Sequence, residues 1–305
     1  MNDNAQWVLP FGTAGEDGFA VSVTDAVPGW THTSLRVATL APFARVELDT
    51  GDSEIIVVPL RGGADVTAVD RDGQHHKVRL TGRDSVFAGP TDVAYVPPGA
   101  SLTISAGDRE STIALCGATA GKRDVPPPFR HVAAAEVPVE LRGAGTASRE
   151  VRNFGVPQVL DADSIIACEV ITPAGNWSSY PPHKHDEERD GVETELEEIY
   201  YFEVRAEPGA PAGADPVGYQ RVYGTAERPI DVLAEVRTGD VVLVPHGWHG
   251  PAMAPPGYDL YYLNVMAGPG ATRAWLICDD PAHGWVRQTW TGQAVDPRLP
   301  MGGPR

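Results

Sequence analysis

A chain of 305 residues is long enough for two hydrophobic cores, because single cores usually stop growing before that length. Its 24 basic and 41 acidic side chains leave a net charge of -17, which removes any general attraction for a polyphosphate backbone and argues against a nucleic-acid partner. An anionic small substrate remains compatible with that field where local Lys or Arg groups, or a metal ion, meet its charge.

The opening residues MNDNAQ carry neither a basic nor an apolar leader segment, and no run of about eighteen apolar residues follows. The expectation is a soluble, cytoplasmic protein with no membrane partner. Strand-length runs rich in Val, Ile, Leu and Tyr recur at 35–40, 54–60, 64–69, 93–96, 101–105 and 112–115, punctuated by Gly, Pro and Asp. After a Pro-, Ala- and charge-rich stretch at 121–145, the same texture returns at 164–171, 198–204, 220–224, 232–236, 240–245 and 259–266. No segment sustains a helical period, so the fold class is all-β, sandwich or barrel.

The halves also resemble one another. Arg83 to Gly99 reads RDSVFAGPTDVAYVPPG and Arg237 to Gly247 reads RTGDVVLVPHG, each an apolar strand running into a Pro-x-Gly turn. Such self-similarity predicts two copies of one module. The expected organisation is a first barrel over 1–130, a linker or crossover over 131–150, a second barrel over 151–270, and a tail over 271–305. The tail's Trp275, Trp285 and Trp290 are expected to pack back on the barrel. Cys116, Cys168 and Cys278 are too scattered for a disulfide framework and read as small buried hydrophobes.

One constellation carries chemistry. In Pro181-Pro182-His183-Lys184-His185 the two imidazoles stand at i and i+2, which share one face of a strand, while Lys184 points the other way. Glu198 opens the strand Glu198-Ile-Tyr-Tyr-Phe, and His249 follows the turn Pro245-His246-Gly247-Trp248. Three imidazoles and one carboxylate suit a single divalent ion, Zn or Mn first and Fe also allowed, with coordination positions left open. Glu197 is the rival carboxylate, adjacent and therefore on the opposite strand face. The acidic stretch DEERDGVETELE at 186–197 reads mostly as a solvated loop.

The order HxH, carboxylate at a strand start, strand-Pro-x-Gly and a further His resembles the cupin barrel, and implies a bicupin of two double-stranded β-helix (jelly-roll) barrels. The pattern departs from the general cupin: Gly175 lies two residues too far before His183, the gap to Glu198 is long, and His249 comes one residue early. With those departures, the segments YPPHKHD, LEEIYYFEV, GYQRVYG, GDVVLVPHGWHGPAMAPPGYDLYYLNVMAG and DDPAHGWVRQTW resemble the 5-deoxy-glucuronate isomerase family of inositol catabolism, a two-cupin group similar to the pectin-pathway uronate isomerases. Carried over by motif, the family's metal ligands fall on His183, His185, Glu198 and His249. The first module offers Arg45-Val46-Glu47 in place of HxH and Leu102 in place of the later His, so it is expected to lack a metal and to act as a structural or oligomerising partner. A homo-oligomer is allowed by that reading.

The resemblance implies an aldose–ketose isomerisation of 5-deoxy-D-glucuronate to 5-dehydro-2-deoxy-D-gluconate, with a small sugar-acid substrate. Metal Lewis acidity and one general base would carry it. Strand parity offers Tyr262 as the catalytic candidate, with Tyr200 and Asn264 as substrate contacts, and Arg221 as the fork for the substrate carboxylate. His246 reads as a turn residue, and His75 with His76 as a solvent-exposed turn. An iron-dependent cupin dioxygenase could use the same four ligands, and a non-catalytic sugar-binding cupin is the second alternative.

Overall fold

Residues 2–302 are described by a computed structural model of the chain. Among these residues strands dominate; the one α-helix is the four-residue turn Asn4–Trp7, and the other helical pieces are short 3-10 segments. None is long and apolar enough to cross a membrane. The all-β expectation holds because the alternating and doubly buried apolar runs leave no helical stripe to bury.

In the first half, the strand Ser53–Val69 serves two sheet regions. Its start pairs with Val93–Val96 and Ser111–Thr119, and after register shifts around Pro59–Ala64 its end pairs with His75–Arg83 and Ser101–Ala106. Bulges of this kind bend a strand so that one sheet can wrap round a core. The enclosed side chains include Ile55, Val57, Val66, Leu102 and Ile104. His76 is not free in solvent: its Nε2 donates to the Asp70 carboxylate at 2.8 Å and its ring stacks on Phe129.

The second half is built from two sheets. A seven-stranded sheet runs in the order Val8–Leu9, Val241–Val244, Glu197–Ala206, Tyr258–Ala267, Ile166–Thr172, Arg149–Gly155, Val139–Arg142. A six-stranded sheet faces it, centred on Gly218–Tyr223, Trp248–Met253 and His183–Lys184. Tyr200, Phe202, Val222, Val232, Val242 and Tyr262 fill the space between them.

The outer faces of the two modules form a third core. Ile56, Val58, Tyr95 and Cys116 meet Ile199, Tyr201, Tyr261, Leu263 and Val265. Strands such as Tyr258–Ala267 are thus buried on both faces, which is why they read as nearly continuous apolar runs.

Three details depart from the expected boundaries. Val8–Leu9 pairs with Val241–Val242, so the chain start belongs to the second module's sheet. Within 131–150, expected as a crossover, Val139–Arg142 is an edge strand of that sheet. The tail pairs through Cys278–Asp279 with His183–Lys184 and buries Leu299 and Met301 in the inter-module core, yet Trp285 stays 59% exposed. Cys278 is half-buried beside Arg189, unlike buried Cys116 and Cys168.

Two buried carboxylates fasten the modules reciprocally. Glu54 of the first accepts the backbone N–H groups of Asp163, Ser164 and Ile165 at 2.6–2.7 Å, and the Tyr95 hydroxyl. Glu197 of the second accepts those of His32 and Thr33 at 2.7 and 2.6 Å, with Thr31 at 3.2 Å. The registers match: Ile55 lies opposite Val96 as Glu198 lies opposite Val244, so Glu54 and Glu197 hold equivalent positions. Charge-assisted bonds of this kind contribute more than neutral ones. Replacing Glu54 or Glu197 by Ala is expected to destabilise the chain by about 3 kcal/mol, read as a lowered thermal midpoint. A change below about 0.5 kcal/mol for both, within the range of an ordinary surface substitution, would remove this role.

Candidate functional site

The site lies at one end of the space between the second module's sheets. His183 is directly opposite His249 in the antiparallel pair, so their side chains share a face, and the ring centroids are 4.5 Å apart. His185 stands 4.6 Å from His249 by the same measure. Its backbone carbonyl accepts from Leu196 N at 2.8 Å, which ties the end of the acidic loop to the HxH segment. That loop is less solvated than expected. Glu193 is fully buried and accepts from Lys184 Nζ and Asp186 N, both at 2.9 Å, and from Arg189. Asp186 in turn accepts from Gly247 N at 2.8 Å and fixes the turn that precedes His249. Lys184 faces this network, away from the three imidazoles.

Glu198 and Glu197 separate by strand parity. Glu197 turns to the first module; Glu198 turns inward, with Oε2 3.2 Å from His185 Nε2 and 3.1 Å from His249 Nε2. Burial opposes charge on Glu198, but His185 and His249 in their charged, Nε2-donating forms outweigh it and bring the carboxyl down to about 2. Burial likewise works against a charged His185, and the Glu198 carboxylate reverses the direction to upward. His183 moves well below the ordinary imidazole value through burial and the neighbouring rings.

The tautomers follow from the backbone. His185 Nδ1 is 3.1 Å from the Leu196 carbonyl and His249 Nδ1 is 3.2 Å from the Gly247 carbonyl; a carbonyl only accepts, so each Nδ1 donates. In the neutral rings both Nε2 lone pairs then point toward the Glu198 carboxylate. His249 Nε2 is buried and, among the described residues, has no aligned hydrogen-bond partner. Lone pairs converging on a carboxylate are compensated by a proton or a cation. One ligand atom from each of His183, His185 and His249 lies within 4.8 Å of the others, so the donor set fits a metal ion, with backbone bonds orienting the rings as in established sites.

His183 and Glu198 open on a cavity of about 540 Å³, within the range of about 300–1,000 Å³ usual for small-molecule sites. Tyr200, Tyr262 and Asn264, all placed inward by parity, line it. Ser179, which the sequence reading missed, bridges the hydroxyls of Tyr200 at 3.3 Å and Tyr262 at 3.1 Å. It sits on the loop before the HxH pair at φ 46°, outside any strand, so no periodicity points to it. Gly250 admits that loop: a Cβ there would lie 1.8 Å from the Ser179 carbonyl oxygen. Burial pushes Tyr262 up to about 12.

Arg221 is a correction. It lies in strand Gly218–Tyr223 with its guanidinium on Asp231 at 2.5 Å and on backbone carbonyls, outside the cavity lining. The arginines that do line the cavity are Arg142, Arg149 and Arg287. Their signal was weak in sequence, because Arg142 and Arg149 fall in the expected linker 131–150 and Arg287 in the tail. His246 is half-buried at the turn, with Nδ1 lacking a partner. In the first module, Ile55 occupies the register of Glu198, and Leu102 packs in an apolar interior.

Two stacked β-modules of this topology, one with an inward three-imidazole cluster, define a bicupin. The fold is shared with an oxalate decarboxylase from Lactobacillus farciminis, at a TM-score of 0.62 and 16% identity over 90% of this chain and 88% of that one. The chain belongs to the KduI/IolB family, whose model matches residues 8–286. It is 39% identical over 282 residues to a 5-deoxy-glucuronate isomerase of Geobacillus kaustophilus, covering 92% of this chain and 95% of the relative. A 5-deoxy-glucuronate isomerase of Bacillus subtilis is 36% identical over 87% of this chain and 91% of its own length. A crystal structure of an IolB-like protein from Salmonella typhimurium superposes at a TM-score of 0.79, with 34% identity over 92% of this chain and 98% of that one. The chain is thus an enzyme of the isomerase class.

Elemental analysis after exhaustive dialysis is expected to find about one divalent ion per chain, as a single cluster of imidazoles and one carboxylate holds a single ion. His183→Ala and His249→Ala should lose most of it, while Glu197→Ala retains it. Stoichiometric metal in His249→Ala would overturn the ligand assignment.

Proposed function

We propose that the chain converts 5-deoxy-D-glucuronate to 5-dehydro-2-deoxy-D-gluconate, the aldose–ketose step of inositol catabolism, at the cavity of the second module. The observation that carries the reading is geometric: His183 and Glu198 face the same cavity as Tyr200, Tyr262 and Asn264, in a chain similar along nearly its full length to named isomerases.

The reaction moves one hydrogen from a hydroxyl-bearing carbon to the adjacent carbonyl carbon, and one proton between their oxygens, without net redox change. A divalent ion held by His183, His185, Glu198 and His249 would supply Lewis acidity toward those oxygens. Tyr262 keeps its proton at neutral pH, so its Oη serves as a donor to the substrate carbonyl oxygen rather than as a standing base. Ser179 and Tyr200 continue this as a chain of hydroxyls along which a proton can pass from one substrate oxygen to the other. Among the described residues Asn264 Nδ2 has no hydrogen-bond partner, which suits it to donate to a substrate hydroxyl. The apolar walls formed by Val151 and Val170 keep bulk water from the reacting carbons.

Incubation of the metal-loaded protein with 5-deoxy-D-glucuronate in deuterated water, followed by proton NMR, should show the ketose with deuterium on the newly protonated carbon. Conversion should proceed without oxygen, which a dioxygenase could not do. No product from fully loaded protein defeats the isomerase reading. Tyr262→Phe should lower kcat by about a hundredfold or more with metal content unchanged, the usual scale for losing a general acid.

A further inference from the structure

Among the three arginines lining the cavity, two are already neutralised. Arg142 pairs with Glu140 at 2.8 Å and Arg287 with Asp279 at 2.5 and 2.7 Å. Arg149 is 7% exposed, and among the described residues no carboxylate oxygen lies within 4.0 Å of its guanidinium. Its one protein hydrogen bond runs from Nη1 to the Ala147 carbonyl at 3.1 Å, and its guanidinium carbon stands 5.7 Å from the centre of the Trp290 ring.

A buried cation without a counter-charge is costly, and Arg142 and Arg287 add repulsion to the cost. Burial and those two neighbours bring Arg149 down to about 10, so it remains charged at neutral pH. The fold nevertheless builds the position deliberately. Arg149 begins the strand Arg149–Gly155, whose other face is fixed between the modules by Arg152 and Glu150 at 2.7 Å. Gly143 leaves room for it, since a Cβ there would lie 2.8 Å from Arg149 Nη1 and 2.1 Å from the Ala147 carbonyl oxygen.

We infer that Arg149 is the anion subsite of this cavity, receiving the carboxylate of a sugar acid whose carbonyl end lies at the His183, His185, Glu198 and His249 cluster. The inference rests on the isomerase reading for which end reacts, but not for the binding of the carboxylate. A planar guanidinium with donors left over suits bidentate capture of a carboxylate, and a paired Arg142 or Arg287 would have to give up a partner to do the same. It also gives the strongly acidic chain a local cation that selects for its substrate.

The test is calorimetric binding of 5-deoxy-D-glucuronate and of its neutral carboxamide to the metal-loaded wild-type protein, to Arg149→Gln and to Arg149→Lys. Wild type should prefer the carboxylate by about a hundredfold, Arg149→Gln should abolish that preference, and Arg149→Lys should keep part of it, as expected for a desolvated charge pair. Carboxamide binding should be nearly unchanged across all three, which a general structural lesion would not leave intact. Equal binding of both compounds by wild type, or an undiminished preference in Arg149→Gln, overturns the inference. If Arg149→Gln does not fold, wild type against Arg149→Lys decides it by the same ratio. Carboxylate preference that depends on Arg149, in a protein that yields no ketose by NMR, supports the subsite and defeats the isomerase reading instead.

Discussion

The strand Glu197–Ala206 is buried on both faces over most of its length, and the two-residue period of a strand makes each face do a different job. Odd positions Glu197, Ile199 and Tyr201 meet the first module, while Glu198, Tyr200 and Phe202 meet the cavity side of the second. A slip of one residue would put Glu198 against backbone amides of the first module and leave the imidazoles facing an apolar neighbour. The reciprocal capture of backbone N–H groups by Glu197 and Glu54 therefore holds more than the modules together. It fixes the register on which the carboxylate at the site depends.

The two modules show how one architecture diverges by local substitution. At equivalent register the first carries Ile55 and the second Glu198. The first module's interior is packed with Val, Ile, Leu and Ala, whereas the second trades part of that packing for histidines, tyrosine hydroxyls and an arginine with no counter-charge among the described residues. Buried polar groups are expensive unless satisfied, and the cost is borne here by the inter-module core, which shares the strands whose inner faces hold the site.

The charges around the cavity divide into satisfied and unsatisfied groups. Lys184, Asp186, Glu193 and Arg189 form a closed network that shapes the loop after the HxH pair and the turn before His249. Among the described residues, His249 Nε2 beside the cavity and Asn264 Nδ2 within it lack aligned hydrogen-bond partners, and Arg149 lacks a counter-charge. Such concentration of unfulfilled polar groups in one cleft is the ordinary mark of a binding site, since a ligand can supply what the fold withholds.

Strand texture and the internal repeat made the all-β, repeated architecture legible in the chain; HxH spacing put His183 and His185 on one face, strand parity put Tyr200 with Glu198 and Tyr262 with Asn264, and the choice of Glu198 over Glu197 and of His249 came from the family resemblance. Spacing and parity are short-range properties: alternation along a strand is set by backbone geometry alone. What needed tertiary structure was every relation between distant segments. The placing of Val8–Leu9 in the second sheet, the outward pairing of Arg221 with Asp231, and the bridging by Ser179 depend on which segments meet in space. Among the described residues Arg149 stands in the cavity without a counter-charge because three separate segments deliver arginines there and only two bring carboxylates with them, a fact that no local pattern encodes.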